Sequence, residues 1–447
     1  MLTIGLILTA TMALRMADDT LLAPAAGAVD ARVQPDKVGT RALPTLPSSL
    51  AQPLPVATRI AARAPEVPMD AGDFAAARAS LEKGLQFLKA SQGPRGGWME
   101  GEAAAGTDQE QRSLAASTAV TALGVRAFVQ SGEPPTSPAV AQACHWVTLR
   151  TMRDGVFEPD GKGGLGNYVA AAVASGWAAL GDTSDVRVVQ LRDAAVQWLK
   201  SNQWDQAEGI QPTQDWFGGA GYGKHGRPDL SNTQVMLDAL HDAGISPEDP
   251  AVQRALVFVA RTQNFRATND AAWARHGSND GGFVYTPTSG GESFASEAAG
   301  EGRYGEIRPE GAPQSLRSYG SMSYAGLKSM LYAGLTRDDP RVRAAWDWVR
   351  HHWTFAENPG LGAQGHYYYL HAMARALAAA QQDEVIDANG ASHNWRNELV
   401  RALVAMQQPD GSWVNPADRW EEGHADLVTI YALLALEEAL KPTLKVE

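Results

Sequence analysis

Trp395-Arg-Asn-Glu-Leu-Val-Arg-Ala-Leu-Val-Ala-Met406 runs into Gln407-Gln-Pro-Asp-Gly-Ser-Trp413, and then, after a short polar stretch, into Asp426-Leu-Val-Thr-Ile-Tyr-Ala-Leu-Leu-Ala-Leu-Glu-Glu-Ala-Leu440. The first segment places Leu399 and Leu403 four residues apart with charges between them, the pattern of a helix with one solvated face. The last is apolar or small on nearly every side, so it predicts a helix enclosed by protein. A glycine and a tryptophan mark the turn joining them.

Working outward, the same alternation recurs along the chain. Amphipathic helices are predicted over Ala79 to Ala90, Ala141 to Met152, Ala194 to Asn202, Ala251 to Arg261, Val342 to Trp353 and Trp395 to Met406. Enclosed helices alternate with them over Leu114 to Phe128, Tyr168 to Leu180, Thr233 to Leu240, Tyr324 to Leu335, Tyr368 to Ala380 and Asp426 to Leu440. Six helices of each kind, in strict alternation, predict two concentric rings: an all-α fold, a single (α/α)6 toroid of six helical hairpins.

The chain has 447 residues, which a single closed toroid can use as one unit from 72 to 447. Leu2 to Leu14 is apolar and short, so residues 1–28 read as a signal peptide or anchor, and Ala26-Gly27-Ala28 is the nearest small-residue cleavage pattern. Residues 29–71 are rich in Ala and Pro without helical periodicity and read as a disordered linker. An exported protein, periplasmic or in the cell envelope, is the expectation, with membrane-surface association left open.

A net charge of -12 excludes a general basic surface for phosphates, so no nucleic acid partner is expected. The one cysteine, Cys144, excludes an intramolecular disulfide and a thiolate metal cluster, and its apolar surroundings suit a core thiol. Oligomeric state is not legible.

Gln92-Gly-Pro-Arg-Gly-Gly-Trp98 and Gln407-Gln-Pro-Asp-Gly-Ser-Trp413 share the spelling Gln-x-x-x-Gly-x-Trp, with weaker echoes at Gly218 to Tyr222 and Asp280 to Phe283. This spelling resembles the repeat motif of squalene and oxidosqualene cyclases, and the chain from about 72 to 440 resembles the terpenoid cyclase and protein prenyltransferase superfamily as a lone toroid. A lone toroid is also similar to complement-like thioester domains, but their thioester Cys and Gln have no match around Cys144.

That resemblance directs attention to the segment Gly221 to Gln234. Class II terpene cyclases carry Pro-Asp-x-Asp-Asp-Thr ahead of an inner helix. Pro228, Asp229 and Thr233 match it, while Ser231 and Asn232 stand where two acids would follow. Asp229 is the candidate acid, yet Ser and Asn cannot tune or donate a proton as those acids do. In the prenyltransferases an Asp-x-Cys near this point holds zinc. Asn232 and Gln234 take those places, so the resemblance implies no zinc here, and neither metal nor cofactor is expected. The plainer reading makes Ser231-x-x-Gln234 a capping box, with Asp229 in the turn before it.

Since every inner helix follows an outer one through the same kind of loop, their N-termini share a rim. Unsatisfied amides there would suit an anion. Lys224, His225 and Arg227 could hold a diphosphate or carboxylate on it, beside Asn232, Tyr319 and Tyr324. In the run Gly365 to His371, the rings of His366, Tyr368 and His371 either line a cavity, where π faces can stabilise a cation, or fill the barrel. His424 and Asp426 could act as base and orienter, or Asp426 could start the last helix. The long connection from about Asn264 to Arg317 reads as a lid, with Gly290 to Gly305 as a mobile flap or partner-binding loop, or as a solvated insertion.

Two functions are carried forward. One is binding or transformation of an isoprenoid or similarly apolar small molecule in the toroid. The other is a non-catalytic exported binding or scaffold protein using the rim and the 264–317 loop. A polysaccharide lyase or hydrolase would need paired carboxylates across the cavity, and no such pair stands out.

Overall fold

A computed structural model describes residues 68–99, 108–159, 164–181, 185–223, 225–295 and 316–442, with the side chains of 108–111 excepted. The leader, the linker as far as residue 67 and Lys224 lie outside the described residues, while Ala71, counted with the linker, opens the first helix.

Twelve α-helices stand among the described residues: α1 (Ala71–Ser91), α2 (Asp108–Gln130), α3 (Pro138–Thr151), α4 (Gly166–Ala179), α5 (Val186–Ser201), α6 (Leu230–Asp242), α7 (Pro250–Arg261), α8 (Gly320–Tyr332), α9 (Pro340–His351), α10 (His366–Ala379), α11 (Trp395–Met406) and α12 (Ala425–Leu440). Three antiparallel two-stranded hairpins sit in the loops: β1 (Met152–Arg153) with β2 (Val156–Phe157), β3 (Ala220–Gly221) with β4 (Pro228–Asp229), and β5 (Glu384–Ile386) with β6 (Ser392–Asn394). None of the described helices is long and apolar enough to cross a membrane.

The outer helices α5, α7, α9 and α11 begin on Asp185, Asp249, Asp339 and Asn394, whose side chains accept first-turn amides. Proline opens α3, α7 and α9, where its missing N–H is not needed. The even-numbered helices pack as a closed cycle: α2 on α4, α4 on α6, α6 on α8, α8 on α10, α10 on α12, and α12 back on α2. Each odd-numbered helix packs outside that cycle, and α11 meets α1 to close the outer ring. The fold is the (α/α)6 toroid that the alternation predicts.

The turns that tie the rings together are more regular than their spelling. Gln407 Nε2 donates to the carbonyls of Gly411 and Ser80, both at 2.9 Å. The Trp413 indole donates to Leu403 O at 2.8 Å, and the Trp413 amide to Thr429 Oγ1 at 3.1 Å. Gln92, Gly96, Trp98 and Thr121 repeat the arrangement, with Ala139 O as the second carbonyl. Two further copies use Gln203 with Gly218 and Gln263 with Gly281. Their amides reach Ala251 O and Arg341 O in the next outer helix. There Ala220 and Phe283 replace the tryptophan, and their amides bond Thr233 and Ser323.

The connection after α7 departs from expectation. Residues 264–295 are not structureless: Ala271, Trp273, Ala274, Val284 and Leu316 form a second small core, and the Trp273 indole bonds Arg261 O at 3.0 Å. The proposed flap, Gly290 to Gly305, falls largely outside the described residues, and its described part is built into the rim. Phe294 packs on Tyr285 with ring centres 4.6 Å apart.

Candidate functional site

The rim amides are not free. Asp229, fully buried, is the N-cap of α6: Oδ1 accepts the Asn232 amide at 2.7 Å and Oδ2 accepts Asn232 Nδ2 at 2.8 Å. The cap is thus Asp229 itself, not Ser231, because the strand β4 delivers it in extended conformation one residue before the helix. Asn358 Oδ1 takes the Ser321 amide of α8, and the buried Glu422 takes the amides of Tyr368 (2.7 Å) and Tyr367 (3.3 Å) at the start of α10. Tyr222 O takes the Asn167 amide of α4. Side chains and carbonyls of neighbouring loops therefore occupy the places where an anion was expected.

The cationic candidates are also engaged. Arg227 is paired with Glu292 at 2.7 Å, while the ring of His225 lies against Trp204 at 5.2 Å. Neither forms an anion clamp. Asp426 bonds Ser91 Oγ at 2.7 Å and the Met99 amide at 3.0 Å, and His424 faces Glu421, so the base-and-orienter pair is not assembled. His366 points its Nε2 at Phe355 O, away from His371, whose ring stacks on Tyr431. Five positions separate the two histidines, about 140° around a helix, which explains why they do not converge. Tyr324 packs edge-on against Tyr369 inside the α8–α10 wall and does not line the lumen. Tyr319 caps α8 and faces Phe294.

What the inner ring does assemble is a set of polar contacts that cross its lumen. Arg126 on α2 meets Asp242 on α6 at 2.9 Å, although α4 stands between those helices in the ring. Arg375 on α10 meets the same Asp242 at 2.7 Å across the position of α8. Both arginines also lie near Glu438, and Lys328 on α8 bonds Asp238 at 2.7 Å and Gln234 at 2.6 Å. The inner helices are therefore not apolar all round. Ser231, Gln234, Asp238 and Asp242 on α6, and Tyr368, His371 and Arg375 on α10, form polar stripes at helical spacing.

This network sets the local electrostatics. Burial alone would raise Asp242, but Arg126 and Arg375 outweigh it and hold that carboxyl well below its usual range. Burial lowers Lys328 to about 8, with Asp238 partly offsetting it. Burial, with the nearby cations adding to it, keeps His371 neutral. At the rim, burial raises Asp229 to about 6 against the pull of its Asn232 hydrogen bonds. Cys144 is partly buried against the core, and burial pushes its thiol up to about 12.

Nearer the rim, several inner-ring side chains keep accessible surface. Ala116, Ala119 and Leu123 fall at three- and four-residue steps on the face of α2 that carries Arg126 into the lumen, and each keeps accessible surface. So do Tyr168, Tyr368 and Tyr431, although each sits deep in the ring. The α2 residues are apolar, while α4, α6 and α10 share a hydroxyl cluster: Tyr168 OH to Ser231 Oγ at 2.8 Å, and Ser231 Oγ to Tyr368 OH at 2.9 Å. Half-buried Phe294 and Trp420 pack at a tilt at the rim, ring centres 5.5 Å apart, with the Arg419 guanidinium over both rings.

No protein-family model matches the chain, and no curated protein does. Among solved structures, a variant of the type II terpene cyclase MstE from Scytonema, in complex with geranylgeranyl dihydroxybenzoate, is similar at 14% identity and a TM-score of 0.46, over 83% of this chain and 99% of that one. The apo form of the same cyclase gives 14% and 0.41, with the same coverage. A glycosidase variant in complex with glucose gives 12% and 0.43, over 84% of this chain and 100% of that one. The ring itself rests on the helix contacts of this chain.

Proposed function

We propose that this toroid binds an isoprenoid or similarly apolar small molecule in the upper lumen, and that binding, not acid-catalysed cyclisation, is its task. The observation that carries the reading is the accessible surface that Ala116, Ala119 and Leu123 on α2 keep, together with that of Tyr168 on α4, Tyr368 on α10 and Tyr431 on α12. Apolar and aromatic side chains that keep accessible surface suit a hydrocarbon chain, which gains on the order of 25 cal/mol for each Å² it removes from water. Cyclisation is disfavoured because both oxygens of Asp229 are held by Asn232, in the arrangement of a helix cap. Protonating an alkene needs a free carboxylic acid.

Extraction of the purified protein with organic solvent, followed by mass spectrometry, tests the reading together with melting curves in the presence of polyprenyl alcohols. Co-purifying apolar molecules, or a rise in Tm on adding them, are expected. Empty extracts and an unmoved Tm with every such ligand would remove the reading. The scaffold alternative draws on the half-buried rim cluster of Phe294, Arg419 and Trp420. It predicts that Trp420→Ala abolishes partner capture while leaving ligand-induced melting shifts intact.

A further inference from the structure

The hydroxyls of Tyr168, Ser231 and Tyr368 belong to a longer relay whose direction is forced. Lys328 donates to Gln234 Oε1 at 2.6 Å, so Gln234 Nε2 is the atom that donates to Tyr368 OH, at 2.7 Å. Having accepted there, Tyr368 donates to Ser231 at 2.9 Å, and Ser231 to Tyr168 at 2.8 Å. Tyr168 donates in turn to Tyr222, Tyr222 to Tyr285 at 3.1 Å, and Tyr285 to the Asp229 carboxylate. Each hydroxyl hydrogen is thus committed to the next oxygen. The relay can accept a hydrogen from a guest but has none to give.

Where the relay meets the charged floor, polar atoms are left over. Asp238 Oδ2 bonds Lys328 Nζ at 2.7 Å and stands 3.7 Å from Arg375 Nη1, yet Asp238 Oδ1 and Arg375 Nε have no hydrogen-bond partner among the described residues. Nor has His371 Nε2, one turn before Arg375 on α10, and Arg375 is the charge that acts most strongly on that imidazole. Asp238, Arg375 and His371 are only 6, 3 and 9% exposed, and a buried polar atom left unmet is costly. Tyr431, stacked on His371 and edge-on to Tyr368, keeps accessible surface beside them.

Resting on the reading of the upper lumen as an apolar-ligand site, we propose that the ligand is an alcohol whose hydroxyl sits between α6 and α10, accepting from Arg375 Nε and donating to Asp238 Oδ1, with His371 beside it. A hydrocarbon leaves both atoms unmet. An ether or ketone satisfies the arginine alone, since it brings no hydrogen for Asp238, and the relay next to it supplies no donor in exchange. A phosphate or carboxylate head adds a negative charge beside Asp238 and Asp242, which with Glu438 already balance Arg126, Lys328 and Arg375.

Farnesol, farnesyl methyl ether and farnesene share one hydrocarbon body and differ in this group. Titrated calorimetrically into the full chain, the alcohol is expected to bind about tenfold more tightly than either of the others. Asp238→Asn can keep the Lys328 bond through its carbonyl oxygen while turning an N–H donor toward the guest, so it is expected to erase the preference of alcohol over ether. Tyr324→Phe, inside the wall, is expected to keep it. Equal affinity for alcohol and ether in the wild type, the result if the three atoms hold only water, would overturn the proposal while the apolar-ligand reading stands. A preference that survives in folded Asp238→Asn would do the same. Absence of binding by all three probes would overturn both.

Discussion

Asp229 shows how one residue can match a motif and hold another office. It was legible in the sequence as special, since Pro228, Asp229 and Thr233 bracket the start of an inner helix. Its office was not, because the alignment of side-chain atoms with Asn232 depends on β4 entering the helix in extended form. Asp229→Ala is expected to destabilise the fold by about 2 kcal/mol, the scale of a lost cap, measured by urea denaturation. Glu437 gives a pH signature. Burial raises it from 4.5 to about 8, so between those pH values the folded chain keeps a proton that the unfolded chain releases. That group's contribution therefore falls as pH rises through the window. Glu437→Gln removes the fall: its stability relative to wild type should grow from pH 5 to pH 8, and a constant difference would contradict the assignment.

At the scale of elements, the alternation of helix types was readable because solvent leaves a clear mark on outer helices. The lumenal stripes were not, since Asp238 and Arg375 each stand between apolar neighbours in sequence, and Gln234, Asp238, Lys328 and Arg375 acquire their partners only from other inner helices. The Gln–Gly turns were half legible. Gln and Gly are four residues apart in the two clear copies but 15 and 18 apart in the others, where inserted loops separate them. The geometry survives because the glutamine amide ties the turn to the next outer helix. Gln263→Ala should cost about 2 kcal/mol, as two buried carbonyls lose their donor, readable as a lower urea midpoint. At Gly218, φ is +82° and an added Cβ would lie 1.8 Å from Arg254 O, so Gly218→Ala is expected to be at least as damaging.

For the whole molecule, the closed ring makes contacts possible that no pair of neighbouring helices could make. Asp242 receives arginines from both sides of the lumen, and removing one leaves a buried charge short of its partner. Arg375→Met should therefore destabilise by about 3–5 kcal/mol. This floor limits any ligand to the upper lumen, where the α2 face offers small side chains. The most direct test of the account is calorimetric titration of a polyprenyl alcohol such as farnesol into the wild type and into Ala119→Trp, whose indole would occupy the proposed site on the accessible face of α2. Binding to the wild type and its loss in the variant, with folding intact by circular dichroism, is the predicted result. Equal binding to both would show that the ligand site lies elsewhere.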